Sequence, residues 1–273
     1  MKKIVVLILI VILSLSESCA SKKYSGTLVC FETNYGKITV RLYPETTKHR
    51  ENFLKLVNSG FYNGVLFHRV IADFMIQAGD PDSKTAKPNA MLGSGDVGYT
   101  IPAEFIYPKY YHRKGALAAA RQGNQTNPQK ASSGCQFYIV QGKTFTDSQL
   151  DEIDQNNEKK LEAKLFQDVV NSKQNWVKKL QAERNQAKLD GLRDSILGEV
   201  HAQMKSHPAL KLTPLQREEY KTIGGTPHLD AAYTVFGEVV EGMDVVERIS
   251  KVKTAANDRP VVDVKVIKAE VVK

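Results

Sequence analysis

The alternation of apolar and polar residues predicts a protein that is largely β. Ile38, Val40 and Leu42 alternate with polar residues, the period of a strand with one buried face. Short apolar segments then recur between clusters of Gly, Asp, Asn and Pro, at 65–67, 74–76, 99–101, 115–120, 137–140, 233–235 and 261–266. Residues 44–57 instead have a helical pattern that ends before Gly60. Many short strands with few helices favour a closed or nearly closed β-barrel.

One long stretch, residues 145–223, has the periodicity of helices. Its apolar residues form two stripes at helical spacing: Leu150, Ile153, Leu161, Leu165 and Val169, then Leu189, Leu192, Ile196, Val200 and Met204. Thr146 with Gln149, and Thr213 with Gln216, match the capping box that begins a helix. The pattern predicts an inserted α-helical segment at 145–223 that separates two parts of one domain, 27–144 and 224–273. Its stripes are expected to pack together as an antiparallel helical hairpin.

The N-terminus has the pattern of a secretion signal. Two lysines precede ten apolar residues, 4–13, a run shorter than the ~20 residues that a spanning helix needs. The run leads to Cys19 and then to polar residues, which resembles a bacterial lipoprotein signal. The resemblance implies a signal peptide at 1–18, a lipidated Cys19, and a tether at 19–26. The alternative is an ordinary signal peptide with an incidental cysteine. Either interpretation predicts an extracytoplasmic protein, and the first predicts attachment to a bacterial envelope membrane, facing the periplasm.

Composition narrows the classes of partner and cofactor. The chain of 273 residues has a formal charge of +8, but residues 145–223 contain 13 basic and 13 acidic residues. The helical segment is therefore not a basic nucleic-acid-binding element, and no nucleic-acid partner is expected. The six histidines and three cysteines lack HExxH and CxxC spacing, so neither a metal nor another cofactor is expected. Pairing of Cys30 with Cys135 stays open, with separate thiols the favoured interpretation.

Residues 67–80, FHRVIADFMIQAGD, carry the strongest functional signal. They resemble the signature FHRxxxxFMxQxGD of the cyclophilin-type peptidyl-prolyl cis-trans isomerases. Further similar segments follow in family order: KGALAAAR at 114–121, SGCQFYIV at 133–140, LD at 229–230 and VFGEV at 235–239. The resemblance implies a closed eight-stranded antiparallel barrel capped by two helices, formed by 27–144 and 224–273. It also implies an enzyme that accelerates rotation about X–Pro bonds in proline-containing polypeptides, here unfolded envelope proteins.

The resemblance also assigns roles to individual residues. Arg69 would be the catalytic residue, with its guanidinium donating to the prolyl nitrogen of the twisted amide. Substrate binding would fall to nine residues: Phe74, Met75, Gln77, Ala120, Arg121, Gln136, Tyr138, Leu229 and Tyr233. Phe74, Met75, Tyr138 and Leu229 would form the wall of the proline pocket. Gln77 would bind the substrate backbone and help to orient Arg69.

Two residues depart from the pattern of the family. His228 stands where many family members have Trp, and Tyr233 where many have His, so the rim of the pocket differs.

Two alternative functions remain open. The main alternative is a client-holding chaperone or binding module, in which the helical segment binds unfolded proteins. A second alternative is a tethered scaffold.

The position of the helical segment also follows from the sequence. Because the segment leaves after 137–140 and returns just before Leu229, we expect it to lie beside the substrate groove and to affect long substrates most.

Overall fold

The computed structural model describes residues 26–88 and 90–272. The predicted signal peptide, Cys19 and all of the predicted tether except Gly26 lie outside these residues. The strands are β1 Thr27–Thr33, β2 Gly36–Leu42, β3 Phe67–Ile71, β4 Met75–Ala78, β5 Thr100–Ile101, β6 Ala116–Ala119, β7 Ser132–Ser133, β8 Phe137–Val140, β9 Val235–Glu241 and β10 Val266–Val272. The helices are α1 Thr47–Asn58, α2 Asp147–Ser172, α3 Gln174–Ala182, α4 Gln186–Ser206, α5 Pro214–Thr222 and α6 Met243–Ser250.

Eight strands form one curled antiparallel sheet in the order β10-β1-β2-β9-β6-β8-β4-β3. The prediction of a closed barrel is wrong, because the sheet has two ends, β10 and β3, and is a curled half-barrel. Within residues 26–88 and 90–272 these ends meet only at an isolated bridge between Leu66 and Lys265 and at neighbouring hydrogen bonds. Beyond the bridge, β10 pairs with β1, whereas β3 packs along the turn at Ala256–Asp258. The two strands therefore diverge before a continuous ladder can form.

Aromatic residues fill the concave side of this sheet. The rings of Phe31, Phe53, Tyr62 and Phe137 contact one another with centroids 5.1 to 6.2 Å apart. Helices α1 and α6 add their apolar faces to the same cluster, which confirms the expectation of two capping helices. This packing fixes the strands, and alternate residues on β4, β6 and β8 consequently point to the opposite face.

The helical segment contains four helices, and both predicted capping boxes are confirmed. One cluster, formed by Val169, Leu180, Leu192, Ile196 and Val200, lies within α2, α3 and α4. A second cluster joins the segment to the sheet domain, with Leu150, Leu212 and Tyr220 packed against Tyr111. The segment is consequently attached to the sheet domain at its base through an apolar cluster separate from the main core.

A local prediction needs correction. The strand predicted at 261–266 begins only at Val266; the side chains of Val261 and Val262 are exposed, and Val264 is the first buried valine of the alternation. Trp176 is exposed on α3, which follows the end of α2 at Ser172. Within the described residues, Cys30 and Cys135 are separate thiols. No helix in 26–88 or 90–272 is long and apolar enough to cross a membrane.

Candidate active site

An apolar cluster on the convex face of the sheet brings six predicted site residues together. They are Phe74, Met75, Ala120, Tyr138, Leu229 and Tyr233. Met75 of β4 and Tyr138 of β8 lie on this face, because the neighbouring residues of both strands belong to the core cluster on the other face. Both are buried within the apolar cluster. Phe74, Leu229 and Tyr233 are half-buried. The arrangement is an apolar floor with a partly exposed rim, which suits a small ring such as that of proline.

Arg69 lies on β3 beside this cluster, opposite Gln77 of β4. Its side chain is 43% exposed, and its Nε donates to Oδ2 of Asp258 at 3.3 Å. Asp258 belongs to the turn that packs along β3. Among the described residues this ion pair uses Nε alone, so both terminal Nη groups are available to a ligand. The guanidinium is therefore oriented from one side and open on the other.

Within the described residues no hydrogen bond joins the Gln77 side chain to Arg69, so the structure does not support the role predicted for Gln77 in orienting Arg69. The Gln77 amide Nε2 donates instead to Oε1 of Gln136 at 2.9 Å. The Gln136 amide is fixed in turn, because its Nε2 donates to the carbonyl oxygens of Gly93 and Gly95 at 3.0 and 2.8 Å. Asp258 takes the orienting position that the sequence assigned to Gln77. Gln77 remains half-buried in the groove, where its amide can meet a peptide backbone.

The end of the signature motif explains how Gln136 is placed. Gly79 has φ +100°, and a Cβ there would lie 2.2 Å from the carbonyl oxygen of Cys135, so only glycine allows this approach. The buried Asp80 carboxylate then accepts from the backbone N–H groups of Gly93 and Gly95. The motif thus holds both the 93–95 loop and the residue before Gln136.

A buried chain of polar groups supports Tyr138 from below. Its hydroxyl lies 3.0 Å from Nε2 of His112, and Nδ1 of His112 lies 2.9 Å from Oδ1 of Asp230. The second carboxylate oxygen of Asp230 accepts from the hydroxyl of Tyr220 at 2.7 Å. A neutral imidazole that donates from Nδ1 accepts from Tyr138 at Nε2, so this tautomer satisfies every member. The chain connects α5 of the helical segment to the floor of the pocket.

Arg121 holds the rim opposite Arg69's strand. Its Nε donates to the carbonyl oxygen of Ala232 at 2.8 Å, and its guanidinium carbon lies 4.3 Å from the centre of the Tyr233 ring. Tyr233 thereby stacks under a cation and packs edge-on against Tyr138, with 6.0 Å between the ring centres. Tyr233, which stands where many family members have His, is thus held in place by Arg121 and Tyr138.

Two clefts extend from the pocket and share Arg121. The loop cleft, of about 650 Å³, is lined from residues 93–100 and 120–136 together with Gln77. The segment cleft, of about 690 Å³, is lined from α2, residues 207–212 and residues 227–233. The helical segment therefore lies beside the rim, as expected from the positions at which it leaves and rejoins the sheet. Within the described residues no cluster of His, Cys, Asp or Glu suits a metal ion.

Comparison with known proteins agrees with this arrangement. The family model of cyclophilin type peptidyl-prolyl cis-trans isomerases matches residues 28–202 and 220–271. The chain belongs to this family.

Relatives of this cyclophilin-type chain differ in length. A Staphylococcus epidermidis protein named as a peptidyl-prolyl cis-trans isomerase is 30% identical over 237 residues, 86% of this chain and 87% of that protein. A Streptococcus pyogenes protein, named as a bifunctional phosphatase and peptidyl-prolyl cis-trans isomerase, is 32% identical over 246 residues; the match covers 89% of this chain but only 38% of that protein.

Solved cyclophilin structures support the fold. A Cryptosporidium parvum cyclophilin type isomerase superposes with a TM-score of 0.54 at 18% identity, covering 90% of this chain and 98% of that one. A structure of that protein in the presence of the dipeptide Ala-Pro gives a TM-score of 0.51 at 17% identity, covering 90% and 99%. At these identities the likeness concerns the fold.

His68 of this cyclophilin-type chain gives a pH-dependent stability. Burial lowers the pKa of His68 from 6.5 to about 4; Asp80 opposes this effect, whereas Arg69 and Arg259 add to it. Below pH 6.5 the unfolded chain binds a proton that the folded chain excludes. Stability should therefore fall as the pH drops from about 6.5 to about 4, by up to roughly 3 kcal/mol.

Urea unfolding at pH 7 and pH 5 checks this expectation. His68→Phe should make the loss of stability between the two pH values smaller, because the titrating group is gone. The same substitution at the exposed His201 of α4 is the matched control and should leave the loss unchanged. An equal pH dependence for wild type and His68→Phe would contradict the assignment.

Proposed function

We propose that this chain catalyses cis–trans isomerisation of X–Pro bonds in polypeptides outside the cytoplasm. One observation carries the proposal: a guanidinium that is oriented on one side and open on the other lies beside an apolar floor with a partly exposed rim. The matched family and the Ala-Pro dipeptide with the Cryptosporidium neighbour support the same substrate class.

The chemistry requires an electrostatic group and no covalent step. Resonance holds the X–Pro amide planar with a barrier of about 18–20 kcal/mol. In the twisted state the prolyl nitrogen regains its lone pair and becomes an acceptor. An Nη group of Arg69 donates to that nitrogen and stabilises the twisted state over both planar states. Phe74, Met75, Tyr138 and Leu229 hold the ring, while Gln77 meets the backbone of the same peptide.

A proline-limited refolding reaction tests the activity on a protein. The slow phase of such a reaction, tens to hundreds of seconds when uncatalysed, should shorten in proportion to the amount of enzyme added. Heat-inactivated enzyme is the control. An unchanged slow phase in the presence of folded enzyme would speak against a role in protein folding.

We further propose that Cys19 carries a lipid anchor that holds the enzyme at a bacterial envelope membrane, facing the periplasm. The support is the apolar run at 4–13, the cysteine that follows it and the polar tether at 20–26. Since one acyl chain binds a membrane only marginally, stable attachment requires more than one. Mass spectrometry of the mature N-terminus should find a lipid-modified Cys19; a free cysteine, or cleavage elsewhere, would refute the anchor.

We also propose that residues 145–223 are an insertion between the two parts of the isomerase domain, 27–144 and 224–273. The support is that Lys143 and Gly225, which flank the segment, are joined by backbone hydrogen bonds of 3.0 and 3.4 Å. The sheet domain is thus continuous across the segment's base.

Holding of unfolded clients is a second candidate function. The observation in its favour is that Phe166 on α2 and Trp176 on α3 are large and exposed, the latter at 57%. An Arg69→Ala protein separates the two functions, because it should retain any suppression of aggregation while losing isomerisation. Loss of both activities in a folded Arg69→Ala protein would exclude an independent holding role.

A further inference from the structure

The segment cleft has a wall that the sheet domain does not supply. One side consists of the pocket rim with His228 and Leu229, and the other consists of α2 and the 207–212 loop. The loop is fixed to α2, because the amide of Asn157 donates to the carbonyl oxygen of Leu210 at 3.3 Å. A polypeptide with its proline in the pocket therefore has a second, preformed surface within reach.

With one buried exception, the charges that line this cleft are positive. Arg121, Lys130 and Lys160 come from three separate parts of the chain and face the same space. Among the described residues of the lining, Asp230 is the one carboxylate. Its oxygens already accept from His112 and Tyr220, and only 7% of its side chain is exposed.

The direction in which the pKa of His228 is shifted agrees with the positive charge of the cleft. The pKa of His228 is lowered by burial, by His112, and by the positive charges of Lys160 and Lys143, against the opposing effect of Asp230. Leu161 and Leu210 supply apolar surface between the cations. The lining thus combines positive charge with apolar area.

We propose that the segment cleft is a subsite for acidic residues that flank the proline of the substrate polypeptide. The inference rests on the proposed isomerase function and adds a preference for sequence to it. A carboxylate a few residues from the proline meets Lys160, Lys130 or Arg121 while the ring occupies the pocket. The binding energy comes from charge complementarity at a partly exposed site, so it is modest and sensitive to salt.

Three sets of peptides of equal length test the subsite with the full chain. Each has one central Ala-Pro bond; the first set has two glutamates before the proline, the second two glutamates after it, and the third glutamines at all those positions. Exchange spectroscopy by NMR gives KM and kcat for each. At least one glutamate set should have a KM roughly three- to tenfold below that of the glutamine set, with a similar kcat. The difference should shrink as salt shortens the Debye length to about 3 Å.

Two variants on adjacent positions of α2 assign the effect. Lys160→Glu should abolish or reverse the preference for glutamate, because it changes the charge inside the cleft. Lys159→Glu makes the same charge change on an exposed residue outside the lining and should keep the preference. Equal effects of the two variants would show a general charge effect and overturn the subsite.

Other outcomes are distinguishable. Equal KM values for all peptide sets, with normal turnover of the glutamine set, would overturn the subsite and leave the isomerase function intact. No turnover of any peptide by the folded chain would overturn the isomerase function itself. Binding to phosphatidylglycerol vesicles that Lys160→Glu weakens, without any peptide preference, would assign the cleft to a lipid surface and overturn the proposal.

Discussion

Arg69→Ala should lower kcat for a short X–Pro peptide by about 10²–10³-fold, the usual effect of removing one preorganised donor from a transition state. The fold should survive, because the lost contact is a half-exposed ion pair with Asp258 that contributes about 1 kcal/mol or less. Arg69→Lys should also be strongly impaired. A lysine has no planar guanidinium, so it cannot be oriented through Nε by Asp258 while it offers Nη donors to the substrate. Kinetics by NMR exchange, with circular dichroism as a test of folding, check both variants.

Arg248→Ala is the matched control for this experiment. Arg248 makes a comparable exposed ion pair, with Asp244 on α6, but lies outside the site. Its removal should leave kcat unchanged. Near-normal turnover by a folded Arg69→Ala protein would contradict the mechanism, because the mechanism assigns the stabilisation of the prolyl nitrogen to Arg69 alone.

Asp230→Ala should destabilise the folded chain by roughly 3–5 kcal/mol. The substitution leaves the Tyr220 hydroxyl and both the backbone N–H and Nδ1 of His112 without their acceptor in a buried site. It also releases the support under Tyr138, so the floor of the pocket should loosen. Asp230→Asn retains an acceptor of similar size and should lose less. Urea unfolding at pH 7 measures both.

Asp244→Ala supplies the comparison for this second expectation. Asp244 is 70% exposed and, among the residues that the structure describes, pairs only with Arg248, so its removal should change the free energy of unfolding by less than about 1 kcal/mol. If Asp230→Ala were no more destabilising than Asp244→Ala, the buried polar chain would have no structural importance.

Local signals in the sequence predicted much of the fold. The capping boxes at Thr146 and Thr213 fix where two helices begin, because a cap depends on residues three positions apart. The signature motif brought Arg69, Met75 and Gln77 together, since they lie on β3 and β4, which pair directly. The alternation of apolar and polar residues predicted β2 correctly. It failed near Val261 and Val262, because these exposed valines lie in a turn although their sequence has the pattern of a strand.

Contacts between distant parts of the chain could not be predicted in the same way. Asp258 orients Arg69 from a turn near the C-terminus, and nothing in its local sequence indicates a partner on β3. His112, Asp230 and Tyr220 are each unremarkable alone and become a network only because the helical segment folds back onto the sheet domain. The gap between β3 and β10 likewise depends on where two distant strands diverge.

We expect this chain to accelerate X–Pro rotation with Arg69. The most direct test is NMR exchange on a tetrapeptide with one Ala-Pro bond, recorded with increasing amounts of wild-type protein. The cis–trans exchange rate is expected to rise in proportion to the protein concentration, starting from an uncatalysed rate that corresponds to tens to hundreds of seconds. An exchange rate that stays at the uncatalysed value, with protein that is demonstrably folded, would contradict it.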